Sequence, residues 1–218
     1  MSWQPLLLSF QVATLATLLA GTVGTALGAA LALGRWRGRD VLDVLVTSPL
    51  IVPPTVLGYY VLVLLGRRSP LGQAFEALTG SPIVFTRTGA VVAATIGALP
   101  FVVKAARSAI EAVDPALARA ARTLGATRLR AFATIVLPLA RPGVAAGLML
   151  GFARALGDFG VTLMVAGNIP DETRTAALAI YDAVAANRES EAAGMMAVLS
   201  ALAIVVLYTA NKLARTQR

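Results

Sequence analysis

Long stretches without a charged residue constrain this chain more than any other feature. The first 34 residues contain no Lys, Arg, Asp or Glu, and residues 44–66 are also uncharged. A helix needs about 20 predominantly apolar residues to cross the hydrocarbon core of a bilayer. Because no water is present in that core, the backbone polar groups must be satisfied within the segment. The pattern therefore predicts membrane-spanning helices.

Five segments meet this requirement, so we predict an all-α, polytopic membrane protein with five transmembrane helices in contact with the lipid bilayer. The predicted spans cover residues 8–33, 43–65, 88–106, 142–166 and 192–211. The second segment contains Pro49, Pro53 and Pro54. A bent helix that packs inside a bundle is expected there, because neighbouring helices must satisfy the backbone groups that proline frees.

Composition excludes several other classes of protein. Hydrophobic residues make up 57% of the 218 residues and charged residues 14%, whereas soluble domains carry about 25% charged residues. The chain contains no Cys and no His, which argues against disulfides, common metal sites and histidine general bases. It also lacks a phosphate-binding Gly-x-x-x-x-Gly-Lys-[Ser/Thr] loop. We predict no catalytic residues, no metal site and no cofactor in this chain.

Basic residues are distributed unequally between the two sets of connections. The net charge is +8, but the positive-inside rule explains this without a nucleic-acid partner. Five basic residues lie on one side and thirteen on the other, which we predict to be cytoplasmic. With five spans, the N-terminus is then outside and the tail of residues 212–218 is cytoplasmic. The thirteen are Arg35, Arg37, Arg39, Lys104, Arg107, Arg119, Arg122, Arg128, Arg130, Arg141, Lys212, Arg215 and Arg218.

The predicted cytoplasmic connection of residues 111–141 contains two short helices. The pair Asp114-Pro115 is typical of an N-cap and a first helical turn. Gly125 is typical of the left-handed residue that ends a helix. Thr127 caps a second predicted helix over 128–137, which Pro138 ends or bends. Helical spacing puts apolar residues on one face of the first helix. That face must be covered by a separate partner, by the chain's own helices or by lipid.

The same connection carries a motif of fixed spacing. Ala120-Ala121 precedes Gly125 by three intervening residues, nine residues follow, and then come Ile135 and Leu137-Pro138. This pattern resembles the Glu-Ala-Ala (EAA) loop of ABC-importer permeases, with Arg119 in place of the usual Glu. The resemblance implies a type I ABC-importer permease fold and a loop that couples to a separate ATPase. The coupling residues that it implies are Arg119, Ala120, Ala121, Leu124, Gly125, Ile135, Leu137 and Pro138.

A second group of motifs lies within residues 152–175. The stretches FARALGDFG, GNIP and TRT resemble molybdate permease subunits. Sulfate permease subunits share part of this pattern, so a sulfate or thiosulfate permease is the alternative. The resemblance implies ATP-driven import of molybdate, with tungstate as a further candidate, through an alternating-access pathway at a homodimer interface in the bacterial plasma (inner) membrane. It implies two cytoplasmic ABC ATPase subunits that bind ATP and Mg²⁺, and a periplasmic or extracellular molybdate-binding protein.

Two charged residues, Arg154 and Asp158, fall within the fourth predicted span. They are four residues apart and therefore share a helix face. Arg154 lies about 18 Å along the helix from Pro142, near the middle of the membrane. A charge at that depth indicates either a functional site or an interior ion pair. We expect this pair to gate or support the pathway rather than to bind molybdate directly.

Uncharged polar groups near the outer end are the candidates for transient contacts with the anion. They are Thr162, Asn168, Thr173 and Thr175. The following residues 174–187 are too short to span the membrane, so an interfacial or re-entrant helix is expected on the outer face, either as a docking surface or gate, or as a structural lid.

An intramembrane aspartyl protease is the alternative from a different class. Asp158 completes part of a Gly-x-Gly-Asp pattern, but Ala155 replaces the first glycine. Such a protease also needs a second aspartate in a facing span, but Asp43 lies at a membrane edge and Asp182 in an outer loop. These departures argue against the protease.

Overall fold

The computed structural model of the protein describes residues 3–34 and 36–215, and the regular elements of this part are all helical. Arg35 and residues 216–218 of the predicted tail lie outside the described residues. The elements in chain order are α1 (Gln4–Leu33), α2 (Arg39–Thr47), a 3-10 turn (Ser48–Leu50), α3 (Pro54–Leu65), α4 (Pro70–Thr79), α5 (Arg87–Glu111), α6 (Pro115–Thr123), α7 (Arg128–Ala131), a π-helical turn (Phe132–Val136), α8 (Leu137–Leu156), α9 (Gly160–Ala166), α10 (Ala176–Ala185) and α11 (Glu189–Arg215).

Four helical segments are long and apolar enough to cross a membrane, and a bent pair of helices forms a fifth candidate. The four are α1, α5, the continuous helix Arg128–Leu156 and residues Glu189–Lys212 of α11. The bent pair combines Arg39–Leu50 with Pro54–Leu65. The prediction of an all-α, polytopic membrane protein is therefore confirmed.

The centre of the bundle is formed by α1, α5 and α8, which approach closely because small residues lie between them. A Cβ atom at Gly28 of α1 would lie 2.9 Å from the Cβ of Ala106 and from the carbonyl oxygen of Val103 on α5. A Cβ at Gly147 of α8 would lie 2.4 Å from the Cβ of Ala105. These glycines allow the helix backbones to pack at distances that a side chain would prevent.

The second predicted span is not a gently bent helix inside the bundle. Its two halves meet at 115°, no residue of α2 is buried, and Ile51 at the break is 86% exposed. Pro53 and Pro54 lack the N–H donors that would continue the helix from the preceding turn, so the chain changes direction there. The predicted bend is therefore present, and α3 packs inside the bundle through buried Gly58 and Val61, whereas α2 does not.

The helix of the fourth span begins earlier than predicted and passes through two prolines. It is continuous from Arg128 to Leu156, so Pro138 does not end it. A π-helical turn immediately precedes this proline, and the N–H of Leu137 donates to the carbonyl of Phe132, five residues earlier. The wider turn relieves the clash that a proline ring makes with the preceding turn of an α-helix.

Candidate functional site

The segment 114–136, called the coupling segment below, is shaped by capping interactions that the sequence predicts. The carboxylate of Asp114 accepts a hydrogen bond of 2.8 Å from the N–H of Ala116 at the start of α6. Gly125 adopts φ +89° after the helix, a conformation that favours glycine. The hydroxyl of Thr127 then accepts from the N–H of Arg130. These local contacts set the helix–turn–helix shape.

The apolar side chains of the coupling segment are largely uncovered by the chain itself. Leu124 is 89% exposed, Leu129 77% and Leu117 45%. The opposite side of α6 is anchored, because Ala118 packs against a small core that includes Ile110 and Val136. Exposed leucines grouped on one short segment are typical of an interaction surface.

The eight predicted coupling residues all lie on this segment or just beyond it, at the start of α8. They divide by exposure into an outward group and a half-buried group. The exposed ones are Arg119, Ala120, Leu124, Gly125 and Pro138, and the half-buried ones are Ala121, Ile135 and Leu137.

An ion-pair cluster, which sequence reasoning missed, joins α2 to the end of α5 directly before the coupling segment. Arg107 donates to the carboxylate of Asp43 at 2.8 Å and to that of Glu111 at 2.9 Å. Lys104 also contacts Asp43, at 3.1 Å, and Arg39 contacts Glu111, at 3.2 Å. The partners on α2 and α5 are 61 to 72 residues apart in sequence, so no local pattern announces them.

The structure interrupts the fourth predicted span at its outer end. α8 ends at Leu156, residues 157–159 are not helical, and α9 begins at Gly160. A Cβ at Gly160 would lie 2.8 Å from the Cβ of Pro54, so this glycine lets the start of α9 pack against the start of α3. The prediction of one helix up to residue 166 is therefore wrong.

Asp158 lies in this interruption, and both of its carboxylate oxygens accept hydrogen bonds. One of its oxygens accepts from Nη1 of Arg154 at 2.8 Å. The other accepts from the N–H and the hydroxyl of Thr162, at 2.9 and 2.7 Å. The side chain of Asp158 is 1% exposed, whereas that of Arg154 is 29% exposed.

The pair of Arg154 and Asp158 lies beside the middle of α5. A Cβ at Gly97 would lie 3.4 Å from Nη2 of Arg154 and 3.6 Å from a carboxylate oxygen of Asp158. Gly97 is close to the centre of α5, which spans Arg87–Glu111. α9 continues from the break along α5 towards the start of that helix, where the carbonyl oxygen of Val165 accepts a hydrogen bond from the N–H of Phe85.

An open cavity of about 550 Å³ lies beside this pair. It is found where the start of α3 faces the break between α8 and α9, so both Arg154 and exposed Gly157 contribute to its wall. The lining residues are Pro54, Thr55, Ala153, Arg154, Gly157, Asp158, Phe159 and Gly160.

The polar residues of the outer loop bind each other rather than face this cavity. The side-chain amide of Asn168 donates to both carboxylate oxygens of Asp182, at 2.9 and 2.8 Å, and its carbonyl accepts from Arg174. The hydroxyl of Thr173 accepts from the N–H of Ile169 at 3.0 Å. These contacts hold the loop against α10, the short outer helix expected within residues 174–187.

Three of the four predicted oxyanion contacts are buried in the chain. Thr162 and Thr173 are at most 1% exposed and Thr175 is 4% exposed. The Thr162 hydroxyl is committed to Asp158, and the Thr175 hydroxyl has no partner among the described residues. Burial and, for Thr162 and Thr173, internal hydrogen bonds separate these hydroxyls from the open cavity in this structure.

Comparison with known proteins identifies the family. Residues 10–215 match the model of the "binding-protein-dependent transport system inner membrane component" family. The molybdenum transport system permease protein ModB of Escherichia coli K12 is 42% identical over 99% of this chain and 95% of that protein. ModB of Azotobacter vinelandii is 41% identical, with 94% and 92% covered. The sulfate transport system permease protein CysT of Salmonella typhimurium is 33% identical, with 92% and 72% covered.

Solved structures confirm the fold. A bacterial ABC transporter involved in the import of the acidic polysaccharide alginate matches with a TM-score of 0.76 at 18% identity, over 99% of this chain and 80% of that one. The MetNI methionine ABC transporter in an inward-facing conformation matches with a TM-score of 0.74 at 16% identity, over the full length of both chains. The chain thus belongs to the inner membrane components of binding-protein-dependent transport systems and is a permease subunit with the ABC-importer fold.

Proposed function

We propose that this chain is the permease subunit of an ATP-driven importer of molybdate that also accepts tungstate. The observation that carries the proposal is the 42% identity with a molybdenum permease over nearly the whole length of both chains. The sulfate alternative has weaker support, because the sulfate permease is 33% identical and this chain spans 72% of it.

We further propose that the N-terminus lies outside and the C-terminus in the cytoplasm of the plasma membrane. The thirteen basic residues on one side support this orientation. The ion-pair cluster of α2 and α5 and the coupling segment lie at the same end of the bundle, since α6 follows Glu111 within a few residues. A charged end of this kind fits the cytoplasmic surface.

Two copies of the chain form the transport unit in this proposal. The uncovered apolar side chains of α2, α3 and the break between them support it, because Val44, Ile51 and Tyr60 are between 62% and 86% exposed. Closed two-fold symmetry would place two identical cavities about one axis. The pathway would run there, with Arg154 and Asp158 at its gate and with Asn168 and Thr173 holding the outer loop in shape.

Two ATPase subunits dock on the coupling segments, and an external molybdate-binding protein docks on the outer face. The exposed leucines of the coupling segment support the first contact. ATP and Mg²⁺ are bound by the partner ATPase. Closure of the ATPases moves the two α6 helices, which switches access to the pathway from inside to outside, and hydrolysis resets it.

The test is uptake of labelled molybdate into vesicles that contain this chain, its ATPase and its binding protein. ATP-dependent uptake that excess tungstate competes with and excess sulfate barely affects is the expected result. Uptake dominated by sulfate would show that the alternative substrate, sulfate, is the transported anion. An assembled complex that takes up none of these oxyanions would contradict the proposed function itself.

A further inference from the structure

The cavity beside Arg154 has the chemistry of a transient anion site. We propose that Arg154 binds the transported oxyanion during its passage, and that Asp158 and Thr162 are positioning residues that hold its guanidinium. The proposal rests on the proposed function, since it requires an oxyanion as cargo. It also reverses the sequence-based expectation that the pair only gates or supports the pathway.

The first step concerns the negative charge of Asp158, which could repel an anion. Its carboxylate receives three hydrogen bonds, from Arg154 and from the N–H and hydroxyl of Thr162. Its side chain is 1% exposed. Asp158 is among the residues that line the cavity, but its carboxylate is buried among these donors, which reduces its repulsion of an anion.

The second step concerns the positive charge of Arg154, which is partly exposed where that of Asp158 is buried. Its side chain is 29% exposed and lines the open cavity. One nitrogen, Nη1, is engaged by Asp158, whereas a guanidinium carries five N–H donors in a planar fork. Such a fork matches two oxygens of an oxyanion. Arg154 is also the one cationic residue among the described residues that line this cavity.

The third step concerns what holds the guanidinium in the cavity. Gly97 of α5 lies against it, and a Cβ there would come within 3.4 Å of Nη2 and 3.5 Å of Cζ. The guanidinium is thus fixed between the middle of α5 on one side and Asp158 on another. Because Asp158 balances much of its charge, the attraction for an anion is moderate, which suits a site that must release its ligand.

The competing explanation is that Arg154 and Asp158 form a purely structural ion pair. Uptake by a single and a double variant distinguishes this from anion binding. Arg154→Gln alone leaves Asp158 buried without its cation, whereas Arg154→Gln with Asp158→Asn removes both charges. If Arg154 contacts the anion, the double variant recovers assembly with the ATPase but not uptake. We expect its initial uptake rate to stay about 10- to 100-fold below wild type, the loss typical of a missing charge-assisted hydrogen bond. Arg154→Lys should recover part of the rate.

The control variant for these measurements is Arg67→Gln. Arg67 is an exposed arginine that pairs with Glu76 at 3.3 Å on the surface, so its removal should leave uptake at the wild-type rate. Recovery of uptake by the double variant would overturn the proposal in favour of a structural pair. If the wild-type complex takes up molybdate and Arg154→Gln does so at the same rate, the proposal is overturned, while the proposed function stands. Failure of the wild-type complex to take up any oxyanion would contradict both.

A second readout reports the charge in the cavity without transport. The chain contains no cysteine, so Thr55→Cys introduces its one thiol into the cavity wall. The rates at which a sulfonate-bearing and a trimethylammonium-bearing thiosulfonate modify this thiol in the complex are compared. We expect the ratio of the anionic to the cationic modification rate to be severalfold higher with Arg154 or Arg154→Lys than with Arg154→Gln. Molybdate should slow the modification in the first two proteins. Equal rate ratios in all three would overturn the proposal.

Discussion

The central bundle and the coupling segment use apolar residues in opposite ways. In the bundle, Ala16, Ala98 and Val102 are fully buried by neighbouring helices of the same chain. In the coupling segment, Leu124 is 89% exposed although local caps fix the shape of the helix that precedes it. The bundle is therefore stabilised by packing within the chain, while the coupling segment is pre-shaped for a surface outside it. A substitution should affect mainly stability in the first region and mainly assembly in the second.

The largest stability effect is expected where a buried charge depends on one partner. Arg154→Ala leaves the carboxylate of Asp158, 1% exposed, without its cation, and breaking a buried pair in this way costs about 3 kcal/mol. The double variant with Asp158→Asn should lose less, because no unpaired charge remains. Thermal unfolding of the purified complexes compares them, and a double variant less stable than Arg154→Ala would contradict this reading of the pair.

The next largest effect is expected at a close contact between α1 and α5. Gly28→Ala places a methyl group 2.9 Å from a backbone oxygen of α5, and overpacking of this kind costs about 1–3 kcal/mol. Ala26→Val is the control, because Ala26 lies on the exposed side of the same helix. The melting temperatures of the two variants in detergent should differ clearly. Equal temperatures would show that α1 and α5 can move apart at no cost.

A smaller effect on stability is expected at the turn of the coupling segment. Gly125 has φ +89° and no atom within 4 Å of an added Cβ, so Gly125→Val should cost only the backbone term of about 1–2 kcal/mol. The spans should still insert, while ATP-dependent uptake and retention of the ATPase during purification should fall. Gly80→Val is a matched control, since Gly80 has φ +73° and equally open surroundings at the end of α4. Similar loss of the ATPase in both variants would sink the assignment of Gly125.

The smallest stability effect is expected at the most exposed leucine of the coupling segment. Leu124→Ser should change the melting temperature of the isolated permease little, because surface substitutions stay within about 0.5 kcal/mol. Its affinity for the ATPase subunit should nevertheless fall, since the residue loses an apolar contact at the proposed interface. Titration of the purified ATPase against the permease in detergent measures this, and an unchanged affinity would exclude Leu124 from the contact.

The spans and the coupling segment could be predicted because both depend on local patterns. Absence of charge over about 20 residues decides whether a helix can lie in lipid, and the helices found at Gln4–Leu33 and Arg87–Glu111 follow from it. The caps at Asp114 and Thr127 act within three residues of themselves. Neither feature requires knowledge of a distant part of the chain.

The breaks in the second and fourth spans could not be placed in the same way. An apolar sequence with prolines is compatible with a kinked helix or with the 115° turn that the structure contains. The end of α8 at Leu156 likewise depends on Gly160 meeting Pro54 of another helix. The sequence contains the residues that permit each break, but contacts between helices select it.

The sequence by itself determined that the chain is helical, that it spans a membrane and that one loop has the shape of a coupling segment. Only the tertiary structure decided that Asp43 pairs with Lys104 and Arg107, and that Asp158 turns inward while Arg154 lines a cavity. The physical reason is the range of the interactions. Hydropathy and capping act over one helix or one turn, whereas the pairing and exposure of charges depend on how separate helices pack.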